Sequence, residues 1–233
     1  MTARNTGIGA AMLAAGGAAF VTLAAAGPAS AATVYWTYWN SPGTDSASGV
    51  AGSVGVTYSG ELENLFFNYP SWQPASSYVG GSISNAPPSA GGIIQLFGGP
   101  DGLTDTITFS HPVTDPVMAI WSLGAGGTTA SFVFTSSEPF TIQAGGPSNE
   151  YGGGPIYVTS PGSETVLGAE GNGTIRFSGT YSSITWTNPG YENWYGFTVG
   201  VVPEPATWSM VLLGIGGLGG ALRSRRKMGI AAA

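Results

Sequence analysis

Through residues 32–202 the apolar positions fall in short runs, several alternating with polar ones, and the runs are parted by Gly, Pro, Ser and Asn. None of this stretch keeps a 3.6-residue period, which excludes a helical bundle and leaves strands joined by turns. The runs predict strands over residues 33–39, 50–58, 92–97, 105–109, 117–123, 130–135, 140–143, 174–178, 183–187 and 195–201. Residues 62–67 suit either a strand or a single helical turn. Alternation is plainest in Thr106-Ile107-Thr108-Phe109 and Ser131-Phe132-Val133-Phe134, where every second side chain would face a core. Short strands with glycine-rich turns imply an all-β fold: a single antiparallel β-sandwich or jelly-roll domain, with a closed barrel as the lesser option.

The two ends break this pattern. Arg4 is the only charge before an apolar, Ala/Gly-rich run over residues 8–26, and Gly27-Pro28-Ala29-Ser30-Ala31-Ala32 follows. A positive start, an apolar core and a small-x-small site formed by Ala29 and Ala31 describe a secretory signal peptide over residues 1–31, cut by signal peptidase before Ala32. At the other end Pro203-Glu204-Pro205 and Trp208 lead into an apolar stretch ending at Leu222, then Arg223-Ser224-Arg225-Arg226-Lys227. As a helix, residues 207–222 would be about 24 Å long, short of a ~30 Å hydrocarbon core but able to cross it with local thinning and snorkelling arginines. The basic cluster should stay cytoplasmic, so this transmembrane helix halts an export that the signal peptide starts. Gly216 and Gly220 have GxxxG spacing, which a helix this rich in glycine produces by chance.

Pro203-Glu204-Pro205, Trp208, a glycine-rich apolar helix and the arginines Arg223, Arg225 and Arg226, in that order, resemble the PEPxxWA variant of the PEP-CTERM sorting signal, with Ser209 where that variant usually has Ala. The resemblance implies that residues 203–233 are read by an exosortase, an integral-membrane cysteine protease. It further implies an inner-membrane intermediate in a Gram-negative bacterium, then delivery to the cell surface and an extracellular polysaccharide (biofilm) matrix. The same tail is also called an ice-binding protein C-terminal domain, a label without functional weight here. Residues 107–201 are similar to the bodies of many proteins with this tail that have no assigned activity. The shared features are Phe109-Ser110, Pro116 to Gly124, Gly145-Gly146 with Glu150-Tyr151-Gly152-Gly153, Glu170-Gly171-Asn172-Gly173, and Tyr191-Glu192-Asn193-Trp194-Tyr195-Gly196-Phe197-Thr198. They speak to fold alone.

The net charge of -6 is unevenly spread: of the 12 acids all but Glu204 lie in residues 32–202, whereas of the 6 Lys and Arg only Arg176 does. Nucleic acid is thereby excluded as a partner, because phosphates need clustered bases; neutral polymers or divalent cations suit this surface better. Cysteine is absent, which removes disulfides, thiolate metal sites and thiol catalysis.

Catalytic constellations are equally sparse. His111 is the single imidazole and no GxSxG elbow accompanies it, so it reads as a turn or rim residue and not as a triad base. One His without Cys also fails as a zinc set. Glycoside hydrolysis needs only two facing carboxylates, and Glu150, Glu170 and Glu192 sit among Gly, Asn and aromatic residues in predicted loops; a supporting or solvent-facing role is the first reading of each. The chain therefore reads as non-enzymatic.

Binding chemistry is better supplied. Aromatic rings stack on sugar C–H faces while carboxylates and amides fix the hydroxyls, which makes Trp36, Trp39, Trp72, Tyr151, Tyr191 and Trp194 candidate ligand contacts, with Trp186 a further one. Trp121 lies in an apolar run and reads as core. Calcium is the one conceivable ion: Asp101 and Asp105 flank a glycine turn, although a solvated turn explains them as well. The sequence-level expectation is a structural or adhesive surface protein of the polysaccharide matrix, with a lectin-like module as the alternative and a glycoside hydrolase third.

Overall fold

The structure is a computed structural model that describes residues 31–99 and 103–203. The expected signal and transmembrane helices lie outside the described residues. So do Ala29, Asp101, Glu204, Pro205, Trp208, Arg223, Arg225 and Arg226.

In chain order the strands are β1 (Tyr35–Trp36), β2 (Tyr38–Pro42), β3 (Ser46–Ala51), β4 (Val54–Ser59), β5 (Asn64–Phe66), β6 (Ile93–Leu96), β7 (Thr104–Thr114), β8 (Val117–Leu123), β9 (Ala130–Phe134), β10 (Phe140–Gly145), β11 (Gly154–Pro155), β12 (Thr165–Gly168), β13 (Gly171–Phe177), β14 (Thr180–Thr187) and β15 (Tyr195–Val201). One sheet of 8 strands has the order β10-β13-β8-β15-β6-β5, with β1 beside β15 and β11 beside β13; the other, of 7, runs β12-β9-β14-β7-β4-β3-β2. Pairing is antiparallel apart from the short β11, which runs parallel to β13. From β6 to β9 the chain changes sheet at every connection.

The inner faces meet in an aromatic core. Phe134 and Phe177 stand edge to face at 5.1 Å, as do Trp186 and Phe197, and Tyr58 meets Phe197 at 5.3 Å. Each pair joins one sheet to the other, which makes the fold a sandwich and not a barrel. In β8, Met118 and Ile120 point into this core while Val117, Ala119 and Trp121 point to the opposite face of the sheet. There a second apolar cluster forms, because the segment between β5 and β6 folds back and packs Trp72, Tyr78 and Ile83 with Ile93 of β6 and Val117, Ala119 and Trp121 of β8. Strands β8 and β15 are buried along their whole length, which is the reason neither alternates apolar with polar residues.

Three strand expectations need correction. Residues 33–39 are not one strand: Thr37 donates both its N–H (2.9 Å) and its hydroxyl (2.7 Å) to the Val199 carbonyl, and the chain passes there from β1 in the larger sheet to β2 in the smaller. Residues 50–58 are a hairpin, β3 to β4, turned at Gly52 with φ of +63°. The strand at 105–109 continues to Thr114 through a bulge, with Ser183 opposite Thr108 and Tyr181 opposite Val113. Residues 62–67 resolve as strand β5, and β12 has no counterpart among the predicted runs.

Candidate functional site

Strand β8 carries one backbone irregularity. Gly171 pairs with Leu123 but Gly173 pairs with Ile120, so β8 holds one extra residue, and Ser122 absorbs it with φ of +54°. Such a bulge frees an amide and redirects a side chain. The Asn172 Oδ1 accepts the freed Ser122 N–H at 2.8 Å, and Glu170 Oε2 accepts the Ser122 hydroxyl at 2.6 Å. Glu170 is itself left-handed (φ +56°), in the two-residue step that carries the chain from β12 across to β13. The Asn172 amide nitrogen donates to the carbonyls of Glu170 (2.9 Å) and Gly152 (3.4 Å), drawing in the turn that holds Tyr151. Gly153 is required at that approach, since a Cβ there would lie 2.0 Å from the Glu170 carbonyl oxygen.

The bulge sets Trp121 as the floor of an aromatic cluster. Tyr151 lies 5.6 Å from it, Trp194 5.8 Å and Tyr69 6.1 Å, and Phe66 packs on Trp194 at 4.8 Å. Trp121 is buried; Tyr69, Phe66 and Trp194 are half-buried; and Tyr151 is 50% exposed. Carboxylates stand among these rings. Glu192 Oε1 accepts the Trp194 N–H at 3.0 Å, while Glu192 Oε2, Glu150 Oε2, Trp121 Nε1 and Trp194 Nε1 are buried without a hydrogen-bond partner. Four orphaned polar atoms in one cluster call for an explanation. Burial, reinforced by the Glu170 charge and opposed by the Trp194 and Asn193 N–H groups, pushes the Glu192 carboxyl up to about 7. Burial also raises Glu150, against the opposing influence of the Tyr69 hydroxyl.

The structure thus brings together Glu150, Glu170, Glu192, Tyr151 and Trp194, residues that sequence spacing left in separate loops. Trp36 and Trp39, each 3% exposed, and Trp72, at 1%, are core residues, a correction to their candidacy as ligand contacts. The sheet switch at Thr37 explains the first two: it sends Trp36 into the outer cluster and Trp39 into the inner core, leaving Tyr35 and Tyr38 outside. Trp186 is core as well. Tyr191 is 57% exposed but stands apart, 6.0 Å from Phe97, with its hydroxyl on Asn193. Tyr69, Phe66, Ser122 and Asn172 were missed; of these only Asn172, inside a Glu-Gly-Asn-Gly turn, had a sequence signal.

Elsewhere, Asp105 is buried in β7 and not in a solvated turn. Its Oδ1 accepts the Tyr58 hydroxyl at 2.5 Å and the Glu61 N–H at 2.9 Å, beside a cavity of about 60 Å³, and burial pushes its carboxyl up to about 6. Among the described residues no group of three or more His, Asp or Glu gathers as a metal set would. His111 is exposed, with Nδ1 3.2 Å from Ser110 Oγ, and lines a cleft of about 300 Å³ with Tyr35, Ser53 and Pro203. Ala32 is tied in place, its N–H on the Ser82 carbonyl (2.8 Å) and its carbonyl accepting the Ser84 N–H (3.0 Å).

Residues 201–227 match the PEP-CTERM protein-sorting motif, which marks the chain as an exported, cell-surface-directed protein processed by exosortase-like machinery. No curated protein and no solved structure matches the chain.

Proposed function

We propose that this protein is a non-catalytic surface component that holds extracellular polysaccharide through the cluster floored by Trp121. The observation that carries this reading is the convergence of Tyr151, Trp194 and Tyr69 with three glutamates at one place on a sandwich whose tail directs it to the cell surface. Half-exposed rings suit the C–H faces of pyranoses, and the orphaned indole N–H and carboxylate oxygens suit their hydroxyls. Two of the three glutamates have an oxygen engaged in building the site, Glu170 on the Ser122 hydroxyl and Glu192 on the Trp194 N–H, which favours holding a sugar over cleaving one. The cluster also favours a lectin-like mode of adhesion over a purely structural part. In the same reading a signal peptide ending at Ala31 starts export, the apolar tail holds an inner-membrane intermediate of a Gram-negative cell, and sorting delivers the sandwich to the matrix.

Affinity electrophoresis of the protein recovered from its cells, in gels containing the polysaccharide those cells secrete, tests this. Retardation that Tyr151→Ala and Trp194→Ala each weaken is the expected result; wild-type migration unaffected by the polysaccharide contradicts the proposal.

A further inference from the structure

We infer that the ligand of this cluster is cationic: an amine-bearing sugar, such as the 2-amino-2-deoxyhexose units of a partly de-N-acetylated polysaccharide. The inference rests on the polysaccharide reading above and deepens it by fixing the charge of the sugar.

Three carboxylates share the cluster, and the body of the chain brings no cation to them. Arg176 is the only Lys or Arg in residues 32–202, and its guanidinium is committed to Asp115 at 2.7 Å. His111 belongs to β7 of the other sheet. A neutral sugar would leave Glu150 Oε2 and Glu192 Oε2 buried without a counter-charge, and Glu192 beside the Glu170 charge as well, an arrangement that is costly away from water. An ammonium group supplies the missing charge and three N–H donors for those oxygens. The rings act in the same direction. Tryptophan and tyrosine faces attract a cation electrostatically, and Trp121, Trp194, Tyr69 and Tyr151 lie within 6.1 Å of at least one other ring of the set. The two free indole N–H groups, which repel a cation, are donors for the hydroxyl or ring oxygens of the same sugar, and so specify an amino sugar over a simple amine.

Entry is from the Tyr151 side. Tyr151 is the most exposed ring of the cluster and sits on the turn closed by Ser148 and Gly152, whose reciprocal N–H to carbonyl contacts are 2.7 and 3.1 Å.

The test is tryptophan fluorescence and calorimetric titration of the full chain with a β-1,4-glucosamine hexamer, its fully N-acetylated counterpart and the matching neutral glucose hexamer. The amine oligomer should bind at least tenfold more tightly than either of the others, and Glu150→Gln and Glu192→Gln should each remove most of that preference. Glu164→Gln, an exposed acid outside the cluster, should leave it intact; equal loss there would mean diffuse attraction between a polyanion and a polycation, and would overturn the site. Equal binding of the amine and N-acetylated oligomers overturns the cationic ligand while polysaccharide binding stands. Binding of none of the three, together with unretarded migration in the native polysaccharide, overturns both.

Discussion

Tyr35 and Val201 are register partners across β1 and β15, so the chain enters and leaves the sandwich at the same end of the larger sheet. The sorting motif starts on β15 itself, and Pro203 stands only two residues beyond its last residue. Trp194 and Glu192 precede the opposite end of that strand, about 20 Å away at ~3.3 Å per residue. If the tail is held in a bilayer as proposed, residues 202–206 span at most about 17 Å, and the expected stance puts Tyr35, Ser53 and His111, which line one cleft with Pro203, toward the membrane and the aromatic cluster away from it.

That orientation can be read by thiol labelling, because the chain has no cysteine of its own. In cells lacking the sorting protease, Asn149→Cys should react freely with a membrane-impermeant maleimide and Ser53→Cys, beside Pro203 in the cleft, several-fold more slowly. Equal rates would contradict an end-on stance.

Glu192 makes stability depend on pH with a definite sign. Its carboxyl is raised from 4.5 to about 7, so between those values the folded state holds a proton that the unfolded state has released. Stability contributed by this group is therefore present below pH 4.5 and declines as pH rises toward 7. Glu192→Gln, which keeps the acceptor for the Trp194 N–H, should raise the melting temperature at pH 8 and leave it unchanged at pH 4. A variant that melts lower at pH 8 would show the carboxylate to be paired after all. The same variant should bind ligand less well, the usual exchange of stability for function at a charged site.

Asn172 is buried and joins Ser122, Gly152, Glu170 and Tyr78 through its side-chain amide. Asn172→Ala leaves the bulge amide of Ser122 without a partner and takes one of two donors from the Glu170 and Gly152 carbonyls, which keep the Gly154 and Ser148 N–H groups; it should cost about 1–3 kcal/mol in urea unfolding. It should also free the Tyr151 turn, seen as faster amide exchange in residues 148–153. A cost below ~1 kcal/mol would mean that the bulge is satisfied in another way.

Trp39 and Tyr38 are neighbours with opposite fates, one 3% and the other 52% exposed. Trp39→Ala should destabilise by about 3–5 kcal/mol, whereas Tyr38→Ala should stay within ~0.5 kcal/mol. Similar costs for the two would contradict the change of sheet at Thr37.

How much of this was legible in advance depended on whether a local pattern or a distant partner made the decision. Alternation in Ser131-Phe132-Val133-Phe134 is a local property, and it placed β9 with its core face correctly. The unbroken run Val117 to Leu123 announced a strand but not the second apolar cluster on its far face, because the segment that covers it is rich in Gly, Pro and Ser and has no period of its own. Residues 33–39 contain no Gly or Pro to mark the change of sheet at Thr37, so nothing local distinguished Trp36 or Trp39 from exposed rings. The hairpin over residues 46–59 turns on Gly52 alone in a chain with 39 glycines. At the site, Glu150, Glu170, Glu192, Tyr151 and Trp194 were visible as residue types in the right kind of loop, but their meeting depends on the Ser122 bulge, which leaves no mark in sequence.

The most direct test of the account is the intact mass of the protein recovered from its native cell envelope and medium, set against the translated chain. Loss of both residues 1–31 and the tail beyond about Pro205, with any added mass marking a covalent attachment, is the predicted result for a sorted surface protein. A mass that lacks the N-terminal segment but keeps the tail through Arg226 would leave a membrane-held protein and contradict the matrix role.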